Sequence, residues 1–209
     1  MFDFEIDDRF DDLIAIGGDL TPENLIAAYR KGIFPWFIDD RKRPYWYCPI
    51  KRMILRPSEI KVSKSLAKIL RKNVFEITCD LEFPNVMLRC AAPRKREKTS
   101  WINAEFIKNY AKLNESKIAH SVEARQDGEL VGGLYGLQIG RVFFGESMFA
   151  LSPNASKAAL AFLCGKMPFG DLDFIDCQVP SEHLASMGGK LIDRGEFLKT
   201  LAASLGEFR

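Results

Sequence analysis

The chain has 209 residues, 47% hydrophobic and 28% charged, with a formal net charge of +2, the composition of an ordinary globular protein with room for one large domain or one domain and a small appendage. No apolar stretch approaches the roughly 20 residues of a membrane helix, and the acidic opening MFDFEIDD lacks the basic-then-apolar order of a secretory leader. Five cysteines (48, 79, 90, 164 and 177) without Cys-x-x-Cys spacing, and two distant histidines, His120 and His183, argue against a zinc site and for free thiols in a reducing cytoplasm.

Residues 1–12 carry six acids and little pattern, and are read as a surface-lying lead-in. Gly17-Gly18 make a turn, Asp19 or Thr21 caps a helix through Lys31 with Pro22 in its first turn, and Gly32 closes it. Ile33-Phe34-Pro35-Trp36-Phe37 is read as a loop of large apolar groups, either core or an exposed stacking surface for a nucleobase. Residues 38–52 mix basic and aromatic side chains without periodicity, and a boundary between a small N-terminal domain (1–52) and a main domain (53–209) is placed near Arg52.

Met53-Ile54-Leu55 reads as a strand, and a helix starts near Ser63 with Leu66, Ile69 and Leu70 on its buried side. Its other side projects Lys64, Lys68, Arg71 and Lys72 as one cationic stripe. From Arg41 to Lys72 there are 11 basic residues against one acid, a net +10 that leaves −8 for the rest of the chain. Charge segregated on this scale suggests a polyanionic partner, against the plainer reading of a solvated face.

Phe75–Thr78 is a strand, Phe83–Cys90 a helix, 94–98 a basic loop and 103–115 a helix. A meander follows: Ala119–Gln126, a tight Asp127-Gly128 turn, Glu129–Ile139, and Arg141–Met148. Gly132, Gly133 and Gly136 inside the middle strand predict a bulge or a close backbone approach. A helix over 154–164, a strand over 172–178, a short helix near Glu182–Met187 and an amphipathic helix over 195–205 complete the chain. Strand, helix, strand from Val142 to Gln178 predicts a parallel crossover, with Glu146, Asp176 and Gln178 at one rim of the sheet.

GESMF at 145–149, NASK at 154–157 and IDCQ at 175–178, with GGDL at 17–20, AYRKGIFPWF at 28–37 and TSWI at 99–102, resemble the signature blocks of the leucyl/phenylalanyl-tRNA–protein transferases. The likeness runs from about Leu13 to about Phe197, in order. It implies an α+β fold, a small N-terminal domain followed by a GNAT-like acyltransferase domain with a mixed sheet flanked by helices. It also implies transfer of Leu, Phe or sometimes Met from aminoacyl-tRNA to proteins with N-terminal Arg or Lys, creating an N-terminal degradation signal. The expected setting is a cytoplasmic monomer with no membrane partner.

Such a donor is already an activated ester, so neither cofactor nor metal is required. The nucleophile is an α-amine of pKa about 8, and the site must hold amine and carbonyl together and stabilise the charges of the tetrahedral intermediate. Asp176 and Gln178 alternate along a strand and are expected to face one side. By family position, Asp176 is assigned to orienting Gln178 and stabilising positive charge, and Gln178 to contacting the reacting amine or carbonyl. Whether either of them or the terminal ribose hydroxyl takes the proton stays open at this point. Glu146 suits the incoming amine or its basic side chain. Also by family position, Leu134, Phe143, Met148, Leu160 and Ile175 line a slot for the transferred side chain, although each suits plain core. Tyr29, Trp36, Trp101 and Tyr110 match positions near the terminal adenosine or the substrate. Lys61, Lys64, Lys68, Arg71 and Lys72 are expected on the tRNA backbone.

Two other functions compete. One is an acyl-CoA-dependent acetyltransferase with the same core, although Arg125-Gln126-Asp127-Gly128-Glu129-Leu130 lacks the second glycine of a pyrophosphate loop. The other is a non-catalytic RNA-binding protein, which would have no use for Glu146, Asp176 and Gln178 at one rim.

Overall fold

The computed structural model describes Phe4, residues 12–93 and residues 100–206. The basic loop 94–98, Thr99 and most of the acidic lead-in lie outside the described residues.

Two sheets organise the chain. The smaller has three strands in the order β1 (Leu13–Ile16), β3 (Pro44–Tyr47), β2 (Phe34–Ile38), all antiparallel. The segment expected to be a loop at 33–37 is therefore mostly strand, and the aperiodic stretch 38–52 contains β3. Strand β1 had no sequence signal. A bulge explains the misleading pattern, because Pro35 pairs with Trp46 and Phe37 with Tyr45 while Trp36 between them has no partner residue. Period-two reading fails across such an insertion. Helix α1 (Pro22–Arg30) precedes β2, and Thr21 is its cap, accepting from the Asn24 N–H.

The larger sheet has seven strands in the order β10-β4-β9-β8-β7-β6-β5. Here β4 is Lys51–Leu55, β5 Glu76–Cys79, β6 Ala119–Gln126, β7 Glu129–Ile139, β8 Val142–Ala150, β9 Phe174–Gln178 and β10 Lys190–Asp193. The division at 52/53 falls within β4. Every pairing is antiparallel except β8 with β9, which is parallel. A mixed sheet flanked by helices, with a small strand sheet before it, is the expected α+β architecture, and the crossover between β8 and β9 runs through α5 (Ala155–Lys166).

Alternation along the strands sorts the core into two layers. On one face Val142, Phe144 and Phe174 join Tyr29 of α1, Met87 of α3 (Phe83–Ala91), Tyr110 of α4 (Ala104–Glu115) and Phe197 of α7 (Arg194–Leu205). On the other, Phe143 and Ile175 join Leu160 of α5 and Leu66 of α2 (Lys64–Arg71). Gly132 is needed for this second layer: a Cβ there would lie 2.4 Å from the Ala155 Cβ, so only hydrogen lets the start of α5 rest on β7. Ser63 caps α2 through the Leu66 N–H, leaving Lys64, Lys68, Arg71 and Lys72 exposed opposite buried Leu66. The remaining helix, α6 (Glu182–Ser186), follows β9.

Candidate active site

The parallel pairing of β8 with β9 runs through Val142–Phe174, Phe143–Ile175 and Phe144–Asp176. Beyond that point the two strands are no longer paired, although β8 continues to Ala150 and β9 to Gln178. Both carry an extra residue there. On β8, Gly145 pairs with Gly136 and Ser147 with Tyr135, so Glu146 is the bulged residue. On β9, Asp176 pairs with Ile54 and Gln178 with Met53, so Cys177 is the surplus one. Bulges re-aim side chains, and these two direct Glu146 and Gln178 toward each other.

Gln178 Nε2 donates to Glu146 Oε1 across 2.8 Å. Tyr29 donates to the same oxygen at 2.5 Å, and Tyr110 to Glu146 Oε2 at 3.2 Å. The two phenol oxygens are themselves 2.6 Å apart. Four residues from α1, α4, β8 and β9 thus form one buried polar cluster. Burial drives the Glu146 carboxyl up to about 7, a rise that the hydrogen bonds from Tyr29, Tyr110 and Gln178 oppose and the nearby Asp176 charge reinforces. Burial, and next the Glu146 charge, push Tyr29 and Tyr110 well above the ordinary phenol range, so both stay protonated as donors.

Asp176 is fully buried and does not present its carboxylate to the cluster. Oδ1 accepts from Arg52 Nε at 2.8 Å and from the Gln178 backbone N–H at 2.9 Å, and Oδ2 accepts from Arg52 Nη2 at 2.6 Å. Its contact with Gln178 therefore runs through the backbone. Gln178 has φ +63, a left-handed conformation uncommon outside glycine. Asp176 meets Arg52 against the Phe34 and Phe197 rings and Gln178 meets Glu146 beside Tyr29 and Tyr110, so both side chains end in one layer, as expected, although the surplus Cys177 and this turned backbone interrupt the strand between them.

Arg52 is the residue that sequence reading misplaced. Counted there among cations for a polyanion, it is 0% exposed, with its guanidinium 4.7 Å from the Phe34 ring centroid and 4.5 Å from that of Phe197. Burial works against its charge, but the Asp176 carboxylate outweighs burial and holds its pKa above the ordinary value. Removing one partner from a buried pair typically costs about 3–5 kcal/mol. The available signal was an arginine two residues before Ile54, at the start of a strand that ends in Met53-Ile54-Leu55.

The five proposed slot residues lie together. Leu134, Phe143, Leu160 and Ile175 belong to one apolar cluster with Met148 packed against it, Leu134 pairs with Met148, and Phe143 pairs with Ile175. This cluster lies on the sheet face opposite Tyr29 and Tyr110, so the ends of β8 and β9 separate an apolar side from a polar one. Trp36 is 38% exposed and edge-on to Tyr47 at 4.9 Å. Trp101 is half-buried, edge-on to Phe106 at 5.1 Å. Neither tryptophan belongs to the hydrogen-bonded cluster. Trp46 is fully buried and donates to the Gly17 carbonyl. Lys61, like Lys64, Lys68 and Arg71 of α2 and Lys72 at its end, is exposed. Among the described residues no group of three or more His, Cys, Asp or Glu is arranged to hold a metal ion, and no helix is long and apolar enough to cross a membrane.

Residues 54–202 match the family model described as leucyl/phenylalanyl-tRNA protein transferase, and residues 18–50 match the model of that protein's N-terminal domain. Similar proteins carry the same description. A leucyl/phenylalanyl-tRNA–protein transferase of Nitrosomonas eutropha is 50% identical, over 90% of this chain and 80% of its own length. Those of Syntrophobacter fumaroxidans and Pseudomonas putida are 48% and 46% identical, over 94% and 93% of this chain and 84% and 86% of theirs.

Proposed function

The chain belongs to the leucyl/phenylalanyl-tRNA protein transferase family, and we propose that it transfers leucine, phenylalanine or methionine from aminoacyl-tRNA to the α-amine of proteins beginning with Arg or Lys. It does so as a cytoplasmic monomer, and the new residue marks the acceptor for degradation. One observation carries the placement of the reaction: the 2.8 Å bond between Gln178 Nε2 and Glu146 Oε1, at the point where β8 and β9 part. The second amide proton and the Oε1 of Gln178 are left to contact substrate.

The neutral α-amine attacks the ester carbonyl carbon, forming the new C–N bond and a tetrahedral oxyanion. Gln178 donates to the developing charge. Glu146, ionised above about 7, takes up the positive charge of the attacking nitrogen, and the Tyr29 and Tyr110 hydroxyls compensate its own charge. Collapse breaks the ester C–O bond, and the departing ribose oxygen takes the proton that the nitrogen sheds. The transferred side chain occupies the slot of Leu134, Phe143, Met148, Leu160 and Ile175. Trp36 and Trp101 serve the terminal adenosine, for which flat apolar faces are suited. Lys61, the α2 cations Lys64, Lys68 and Arg71, and Lys72 at the helix end follow the acceptor-arm phosphates.

The test is incubation with radiolabelled Leu-tRNA and an Arg-initiated peptide, alongside peptides beginning with Lys and Ala and a sample treated with ribonuclease. Label on the Arg and Lys peptides only, abolished by ribonuclease, is expected. Acetylation of the peptide from acetyl-coenzyme A in place of aminoacyl transfer would overturn the reading.

A further inference from the structure

We propose that Arg52 is a positioning residue for the transfer step, its bidentate pairing with Asp176 holding Gln178 in the left-handed backbone conformation that aims the glutamine amide at Glu146. The proposal rests on the reading of the β9 end as the transfer site.

A non-glycine residue at φ +63 persists only where its surroundings over-determine it. The Gln178 N–H is fixed by Asp176 Oδ1 at 2.9 Å, and Asp176 in turn has both oxygens fixed by Arg52. Arg52 is immobilised by its place in β4 and by the Phe34 and Phe197 rings near its guanidinium. The order of restraint runs from ring pair to guanidinium to carboxylate to backbone amide, and ends at the side chain that meets Glu146. Lysine would keep the charge but could neither grip both oxygens in a plane nor stack between rings.

The restraint also reaches the smaller sheet. Phe34 lies in β2 with its ring centroid 6.0 Å from that of Trp36, the tryptophan assigned to the terminal adenosine. Arg52 thus joins the strand expected to receive the end of the tRNA to the strand that carries the reacting amide.

Four variants test this: Arg52→Lys, Arg52→Met, Asp176→Ala and the Arg52→Met/Asp176→Ala double. Each is assayed for single-turnover transfer at saturating Leu-tRNA, for Leu-tRNA affinity and for thermal midpoint. Misplacing a catalytic group by about 1 Å can cost about 100-fold, so Arg52→Met should lose about that factor, with Kd changed by no more than about threefold. Because Arg52 acts through Asp176, the double variant should be no slower than Asp176→Ala alone. Arg52→Lys keeps a buried cation and should fold, yet transfer at least about tenfold slower. Should Arg52→Met fail to fold, this lysine variant carries the test. A wild-type rate in Arg52→Lys, or losses that multiply in the double variant, would overturn the proposal. A wild-type rate in Asp176→Ala would overturn it as well, whereas a wild-type rate in Gln178→Ala, assayed alongside, would remove the site on which it rests.

Discussion

Replacing Glu146 by Gln should change how stability depends on pH, and the structure gives the size of the change. The carboxyl lies among two buried phenols and a glutamine amide, and burial raises it to about 7 from an ordinary 4.5. The folded state therefore holds this proton more tightly than the unfolded chain does. The stability attached to it is fully present below about pH 4.5 and is lost as pH rises through about 7. At about 1.4 kcal/mol for each tenfold change in affinity, the gap amounts to about 3 kcal/mol, as an order of magnitude. Urea unfolding of both proteins from pH 4.5 to 8.5 measures it, since other titrating groups cancel in the difference. Wild type should lose about 3 kcal/mol relative to Glu146→Gln across that range, whichever protein is more stable at the acid end. Parallel curves would mean that the carboxyl titrates normally, and the buried cluster would then not have the electrostatics described.

The same group shapes activity: single-turnover transfer by wild type should rise through about pH 7 as Glu146 ionises, and Glu146→Gln should keep only the limb set by the substrate amine near pH 8, so identical profiles would exclude Glu146 from the charge balance. Lys64→Ala with Lys68→Ala should weaken aminoacylated and bare tRNAs alike and reduce the salt slope of binding by about 2; an unmoved slope would make this face solvated surface. In competition, Leu-tRNA should outpace Ile-tRNA by at least about tenfold, because branching at Cβ sets stiff bulk beside the ester, and equal rates would mean that the slot of Phe143, Met148, Leu160 and Ile175 is misassigned.

What was legible in the sequence had regular period or strong caps. Of Asp19 and Thr21 it is Thr21 that caps the first helix, and the helices placed near Ser63 and from 103 are capped by Ser63 and Asn103. The alternating meander from Ala119 to Ala150 appears as three long strands, and the glycines of its middle strand mark both bulges and close approach. The parallel crossover followed from the order strand, helix, strand. What stayed hidden depended on interruptions of period. Trp36, Glu146 and Cys177 are each surplus residues in bulges, which is why β2 read as a loop and why the backbone contact between Asp176 and Gln178 was not foreseen. Strands β1 and β10 have four residues each and owe their form to the neighbours they pair with, which no local pattern encodes. Arg52 illustrates the same limit: its charge suggested solvent or phosphate, and only the long-range meeting of β4 with β9 supplied the acid that lets it be buried.

The most direct measurement is single-turnover transfer of leucine by Gln178→Ala at saturating Leu-tRNA, with tRNA affinity determined in parallel. Loss of one donor to a developing oxyanion costs about 100- to 1,000-fold in comparable sites. The expected result is a fall of that order with unchanged affinity. Transfer at the wild-type rate would contradict the placement of the reaction at the ends of β8 and β9.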